Sequence, residues 1–397
     1  MNPRPLLAFL LCVACTTLPA TPPPAEVPIE LTQGHVFLPV TIGRSAQPSW
    51  FLLDTGAQFS AVAQTTVDSM HLVTHGQGRA RGAGAGVVRT TFLRDVDLTI
   101  GDLRINLPEM GGLPLTAVSL AEGRAIEGIL GFSVIRQYAI EIDYERRRLR
   151  FHDAAKYQAP DGTVVVPITK FDADHPVVAA ELTLPDGRVL PMRMMLDTGA
   201  RAAVVINRPF AEKHGVYDAL SPSINASYGM GIGGAVQQRF ARAKRFAFAG
   251  VAFDAPIVSA ALDRAGATAM SAVDGLIGAE ILHRFTLTLD YKRRRLLLAP
   301  NRALREPFEF DMAGLAFKAA DLKFDRILVR FVLPNSPASE AGIREGDEVV
   351  TIDGRSAAAL TIAGIRDLFE VPDKRHEVHL RRGGRELDAS LVTRRML

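Results

Sequence analysis

Phe51-Leu52-Leu53-Asp54-Thr55-Gly56-Ala57 and Met194-Met195-Leu196-Asp197-Thr198-Gly199-Ala200 follow one pattern written twice: an apolar run, then Asp-Thr-Gly, then alanine. Further segments keep the same order behind each copy. Glu127-Gly128-Ile129-Leu130-Gly131 leads on to Ile142-Asp143-Tyr144-Glu145-Arg146-Arg147-Arg148-Leu149. Asp274-Gly275-Leu276-Ile277-Gly278 leads on to Leu289-Asp290-Tyr291-Lys292-Arg293-Arg294-Arg295-Leu296. Asp54 and Asp197 lie 143 residues apart (197 − 54), while Gly131 and Gly278 lie 147 apart (278 − 131), as do Asp143 and Asp290. Segments that hold register over such distances mark a duplicated unit, because a long-period repeat reflects a repeated structural element.

A chain of 397 residues has room for two to four domains. Its 48% hydrophobic and 22% charged residues suit a globular protein with real cores. A formal charge of +3 is too small to argue for nucleic acid. The arginine triplets look like a basic patch, but they occupy the same place in each repeat, after Asp-Tyr and before an apolar strand. A solvated hairpin turn accounts for them.

Residues 1–20 read as a secretory signal peptide. Arg4 precedes an apolar stretch over 6–14 that is too short to span a bilayer. Export to the periplasm is the expected fate. Both cysteines, Cys12 and Cys15, fall in this segment, so the exported body carries no disulfide. Leu11-Cys12-Val13-Ala14-Cys15 resembles a bacterial lipobox, with Cys12 where that pattern prefers leucine. The resemblance implies lipidation of Cys15 and an outer-membrane anchor; cleavage after Ala20 is the alternative. Residues 21–29, with Pro22-Pro23-Pro24, read as an extended tether.

Beyond the tether the pattern is mainly β. Strands are expected at 36–42 and 50–53 around a turn-rich 43–48, and again at 177–184 and 189–196 around Pro185-Asp186-Gly187. Val96, Leu98 and Ile100 alternate with Asp95, Asp97 and Thr99 as in a half-buried strand. Phe246 and Phe248 offer a weaker counterpart. Short helices are expected at 132–136 and 279–284. This divides the body into one lobe over 30–158 and a second over 159–300, joined near Ala159-Pro160-Asp161-Gly162.

Asp-Thr-Gly behind an apolar strand, with an apolar-apolar-Gly element further on, resembles the aspartic peptidase family. The trailing alanine is closest to its retropepsin-like branch, and the resemblance covers roughly residues 30–300. It implies a mainly β, bilobal acid-protease fold in which each lobe supplies one catalytic aspartate, here Asp54 and Asp197. Thr55 and Thr198 would lock the two loops together through their hydroxyls. Gly56 and Gly199 would allow the tight turn, and Gly131 and Gly278 a close strand approach. Two carboxylates about 3 Å apart cannot both ionise cheaply, so such a pair shares one proton and titrates as a unit. One carboxyl then takes a proton from water while the other donates to the peptide carbonyl. The reaction requires neither cofactor nor metal.

Glycine-rich stretches, Arg81-Gly82-Ala83-Gly84-Ala85-Gly86 and Tyr228-Gly229-Met230-Gly231-Ile232-Gly233-Gly234, lie between the two motifs of each lobe. The resemblance makes them substrate-covering flaps, with Gly84, Gly86, Gly231, Gly233 and Gly234 giving the tips freedom to move. Gly229, Gly231 and Gly234 also spell a dinucleotide fingerprint, but in a β-rich repeat rather than at the start of a βαβ helix, so no nucleotide is expected. Arg201 departs from the first lobe, which has Gln58 at that place. A guanidinium aimed at the dyad would favour double ionisation. Strand alternation turns it along the cleft or to solvent instead.

Residues 305–395 form a third unit. The run Asn335-Ser336-Pro337-Ala338-Ser339-Glu340-Ala341-Gly342-Ile343-Arg344-Glu345-Gly346-Asp347-Glu348-Val349-Val350-Thr351-Ile352-Asp353-Gly354 resembles a PDZ domain of the kind attached to bacterial envelope proteases. The resemblance makes Ala313-Gly314-Leu315-Ala316-Phe317 the carboxylate-binding loop. Gly314, Leu315, Ala316 and Phe317 would receive a peptide C-terminus beside the helix of Ile362, Ile365 and Leu368. Ala316 stands where a glycine is common. His376 and His379 fall on opposite faces of a strand, and His35, His175 and His283 are scattered singly, so no metal site is expected. Ser336 and Ser339 lack a nucleophile elbow.

The combined reading is an aspartic endopeptidase of the bacterial envelope, a monomer acting on peptide or unfolded protein substrates, with a PDZ domain that captures C-termini. The alternative is a peptide-binding adaptor in which lobes and PDZ hold extended chains without turnover. Pairing of lobes between chains is a further alternative.

Overall fold

The computed structural model describes residues 25–397. The signal segment, Cys12, Cys15 and residues 21–24 of the expected tether lie outside the described residues.

The first lobe is an eight-stranded sheet. Its order is Glu30–Thr32, His35–Ile42, Ser49–Leu53, Gly128–Leu130, Ala61–Ala63, Leu103–Leu113, Val88–Ile100 and Gln77–Ala80. The second lobe follows the same path: His175–Thr183, Val189–Leu196, Gly275–Ile277, Val204–Ile206, Ile257–Ala261, Gly234–Arg242 and Ser223–Gly231, with Lys170–Asp172 on the outer side of the first of these. The second sheet has ten strands, ending in Val251–Asp254 beside Arg245–Phe248, because long strands of the first are divided in it. Val88–Ile100 is a single strand that pairs with both Gln77–Ala80 and His35–Ile42, whereas the second lobe divides this task between Gly234–Arg242 and Arg245–Phe248. The weak alternation at Phe246 and Phe248 is therefore a genuine strand, cut short because the chain turns at Ala243 and Lys244. Along Val88–Ile100, Val96, Leu98 and Ile100 are buried while Asp95 and Asp97 face solvent.

A third sheet joins the lobes. The repeat-related hairpins Tyr138–Asp143/Arg148–Asp153 and Phe285–Asp290/Arg295–Pro300 meet edge to edge, antiparallel, with Ile140 opposite Leu289 and Ile142 opposite Leu287. The arginine triplets sit at the two hairpin turns. Buried Asp143 and Asp290 each accept the backbone N–H three residues on, from Arg146 and Arg293, and so cap the turns. Ala25–Pro28 adds to this sheet beside Arg148–Asp153, burying Val27 and, just beyond, Ile29. The expected tether over 21–29 is thus structured from Ala25 onward: its alternating apolar residues have a core to enter, and Pro28 is tolerated because the strand is an edge.

The PDZ region forms its own sheet, Leu315–Ala319, Ile327–Val332, Glu348–Ile352, Arg375–Arg382 and Arg385–Val392, over the helix Ala357–Phe369. Phe317, Val329, Ile352, Ile365 and Phe369 make a core separate from that of the lobes. The connector is held by Arg284, whose buried guanidinium donates to the carbonyls of Glu280, Ala303 and Glu306 and stacks 3.9 Å from the Phe308 ring centre. His376 is buried against Asp353 while His379 faces Asp388 and solvent, on opposite faces as strand alternation requires.

Candidate active site

Each Asp-Thr-Gly loop leaves the end of an apolar strand and is caught at once by the apolar-Gly strand beside it. Asp54 N–H donates to the Leu130 carbonyl at 3.0 Å, and Asp197 N–H to that of Ile277 at 2.9 Å. The loops close alike: Ala57 carbonyl accepts from Phe132 N–H and Ala200 carbonyl from Ala279 N–H. This packing leaves no room for a side chain at the end of the apolar-Gly strand. A Cβ on Gly131 would lie 2.6 Å from the Ala57 oxygen, and one on Gly278 2.1 Å from the Ala202 oxygen.

The loops meet through their threonines. Thr55 N–H donates to Thr198 Oγ1 at 3.1 Å and Thr198 N–H to Thr55 Oγ1 at 3.0 Å. Each hydroxyl then donates across to the strand leading into the opposite loop, Thr55 to the Leu196 carbonyl and Thr198 to that of Leu53, both at 2.7 Å. Both threonines are buried, and this exchange satisfies the N–H and the hydroxyl of each. Its consequence is the placement of the aspartates. A Cβ on Gly56 would lie 2.7 Å from Asp197 Cγ, and one on Gly199 2.5 Å from Asp54 Cγ. Each carboxyl therefore lies against the glycine of the opposite loop, and the two carboxyls face each other closely enough to hydrogen-bond.

The pair is not electrostatically even. Burial raises both carboxyls, and for Asp197 the charge of Asp54 raises it much further. Asp54 is pulled back by the Gly56 N–H, which donates to Oδ1 at 2.8 Å, and by the charges of His35 and His175. Asp197 accepts the Gly199 N–H at 2.9 Å in the same way, and the two carboxyls titrate as a unit. Tyr291, from the second Asp-Tyr pair, lies buried within reach of both charges, and its hydroxyl is held well above the usual phenol range by burial and by the two aspartates.

His35 and His175 are the residues that the sequence reading passed over as scattered. They open the matching strands His35–Ile42 and His175–Thr183, so they are partners in the repeat. His175 Nε2 lies 2.8 Å from the Gly56 carbonyl and Nδ1 3.0 Å from that of Asp172; His35 Nδ1 lies 3.1 Å from Glu122 Oε1. Each stands at the first position of its strand, but 19 residues before Asp54 in one case (54 − 35) and 22 before Asp197 in the other (197 − 175), so the pairing does not show as a fixed spacing. Arg201 turns away from the carboxyls and donates to Gln33 Oε1.

The glycine-rich stretches come together. Gly84 N–H donates to the Ile232 carbonyl at 3.0 Å and Gly86 N–H to that of Gly233 at 2.9 Å, joining the loop 81–87 to the tip of the hairpin 223–242. Gly231 packs against Ala83, and Gly233 and Gly234 turn the tip with φ of 94° and 113°. Ile232 packs on the same apolar cluster as Ala57, beside the Asp54 loop.

The PDZ loop holds a carboxylate of its own chain. The N–H groups of Ala313, Gly314 and Leu315 donate to the chain's own Asp311, at 3.2, 2.7 and 3.0 Å, and Ala316 and Phe317 are buried in the strand that follows. An internal carboxylate three residues ahead of Gly314 supplies the negative group that a peptide C-terminus was expected to bring.

A family model described as aspartyl protease matches residues 38–134, which include Asp54 and the first apolar-Gly element. A second, described as PDZ domain, matches residues 328–382. No curated protein matches the chain. The protein is thus mainly β, with an aspartyl protease family domain followed by a C-terminal PDZ domain, and the first of these supports a peptidase-type hydrolase.

Two outcomes are expected. Thr198→Val leaves the buried Thr55 N–H and Leu53 carbonyl without partners and lowers unfolding stability by about 2–5 kcal/mol, whereas Thr198→Ser costs about 1 kcal/mol, as read by urea denaturation. Because both dyad carboxyls are raised above their unfolded values, the stability they contribute is full in acid and is lost as pH climbs through the raised values. Asp197→Asn therefore raises the melting temperature relative to the parent chain at alkaline pH and does so less in acid, by differential scanning fluorimetry.

Proposed function

We propose that the chain is an aspartic endopeptidase that hydrolyses peptide bonds with one water held between Asp54 and Asp197. The observation that carries this reading is the reciprocal threonine exchange, which seats each carboxyl against the opposite glycine. Asp54, the ionised member, takes a proton from the water as its oxygen attacks the carbonyl carbon. Asp197 gives its proton to the carbonyl oxygen. The tetrahedral intermediate then collapses as the proton on Asp54 passes to the leaving nitrogen and Asp197 recovers its own from the second hydroxyl. The charges of His35 and His175 favour this division of labour, because they bear on Asp54, whereas the Gly56 and Gly199 N–H groups serve the two carboxyls alike.

The flaps favour an extended substrate, since joined glycine-rich tips can part and close over a strand of chain but leave little space for a folded one. Unfolded segments and peptides are therefore the substrate class. The leader-like residues 1–20 support work outside the cytoplasm, with Cys15 as the anchoring position.

Asp54→Asn and Asp197→Asn should each lower cleavage of unfolded casein by about 10²–10⁴-fold or more, with circular dichroism unchanged. Pepstatin should inhibit the parent chain. Retained cleavage in both variants removes the reading. Casein binding without turnover at any pH, insensitive to pepstatin, identifies an adaptor instead. His175→Gln removes a charge that favours ionised Asp54 and shifts the acid limb of kcat/KM to higher pH, as a pH–rate profile reads directly.

A further inference from the structure

The PDZ groove already has an occupant. Leu315–Ala319 is the edge strand of its sheet, the edge to which an extended peptide adds, and the helix Ala357–Phe369 is the other wall. The first-lobe helix Thr116–Glu122 packs along this edge strand. Its C-cap, Gly123, comes so close to the wall helix that a Cβ there would lie 3.0 Å from Ile362. Arg366 of the same wall donates to the Ala121 carbonyl at 3.3 Å and to Gln33 Oε1, the acceptor that it shares with Arg201.

The same face of the PDZ region also holds the second flap. Asp311, whose carboxylate fills the loop 313–315, accepts from the Tyr228 hydroxyl at 2.9 Å. Arg330 donates to the carbonyls of Ser227 and Tyr228 at 3.1 and 2.7 Å. The Tyr228 ring stands edge-on to Phe310 and Phe331, with centres 5.4 and 5.6 Å away. Tyr228 belongs to Ser223–Gly231, the outer strand of the flap hairpin, so the hairpin is fastened to the PDZ a few residues below its tip and to the first flap at the tip itself. A third connection runs from Arg366 through Gln33 to Arg201, four residues beyond Asp197. The junction brings Arg201, Arg330 and Arg366 within electrostatic reach of one another, with Glu122, Asp311 and Glu345 as the opposite charges beside them.

We propose that the resident ligand of the PDZ groove is the chain's own helix Thr116–Glu122, that this docking latches the second flap shut, and that a peptide with an apolar C-terminal residue and free carboxylate competes for the groove and raises cleavage. The cleavage half of this inference rests on the peptidase reading; the binding half does not. The probe is a dye-labelled decapeptide ending in Ala-Val-Val with a free carboxylate, beside its amidated twin. Leu120→Asp, on the half-buried face of the first-lobe helix, weakens self-docking without entering the dyad. It should bind the free-acid probe at least tenfold tighter than the parent chain by fluorescence anisotropy, with no gain for the amide, and should cleave casein faster. In the parent chain, probe saturation should increase hydrogen exchange in 116–123 and 223–242. Exchange in 116–123 that stays unchanged at saturation, probe binding no tighter in folded Leu120→Asp, or no probe binding by either chain overturns the proposal. Tighter probe binding with no cleavage by any chain leaves the self-docked groove standing and removes the peptidase reading.

Discussion

Two threonine hydroxyls hold the centre of this molecule together. Each accepts a backbone N–H from the opposite loop and donates to a carbonyl of the strand that enters it, so neither loop has a satisfied conformation without the other. In water such bonds would be worth little, because solvent offers the same partners. Here the groups are buried, and an unmade bond would carry the full cost of desolvation. The proximity of the two carboxyls is therefore enforced by neutral groups. That matters because like charges left to themselves would separate.

The same logic explains which features were legible in the sequence. Asp-Thr-Gly, the apolar-Gly strand and the Asp-Tyr hairpin are local patterns whose hydrogen bonds recur at fixed offsets, so each repeat testifies to the other. The turn-capping role of Asp143 and Asp290, three residues before the N–H they accept, belongs to this class. What stayed hidden depends on contacts between segments with no common pattern. His175 meets a carbonyl in the other lobe, and Gln33 is the joint acceptor for Arg201 and for Arg366, 333 residues away. Asp311 was illegible for a subtler reason: a peptide-binding loop is recognised by its glycine and apolar residues, and nothing in those letters says that the acceptor comes from within.

The PDZ region is thereby a packing element of the body as well as a recognition fold. The aromatic cluster of Tyr228, Phe240, Phe310 and Phe331 joins it to the second lobe, and Arg284 secures the connector. A ligand for its groove would have to overcome contacts that also shape the cleft.

The sheet shared by the two halves carries a consequence of a different kind. Ile140 faces Leu289 and Ile142 faces Leu287 in an antiparallel register that is its own mirror under exchange of the repeats. Either half alone would bare that strand, and its register is one that two identical halves could share across the same line. Within one polypeptide the two halves need not be identical, and the unequal surroundings of Asp54 and Asp197 are what that freedom permits.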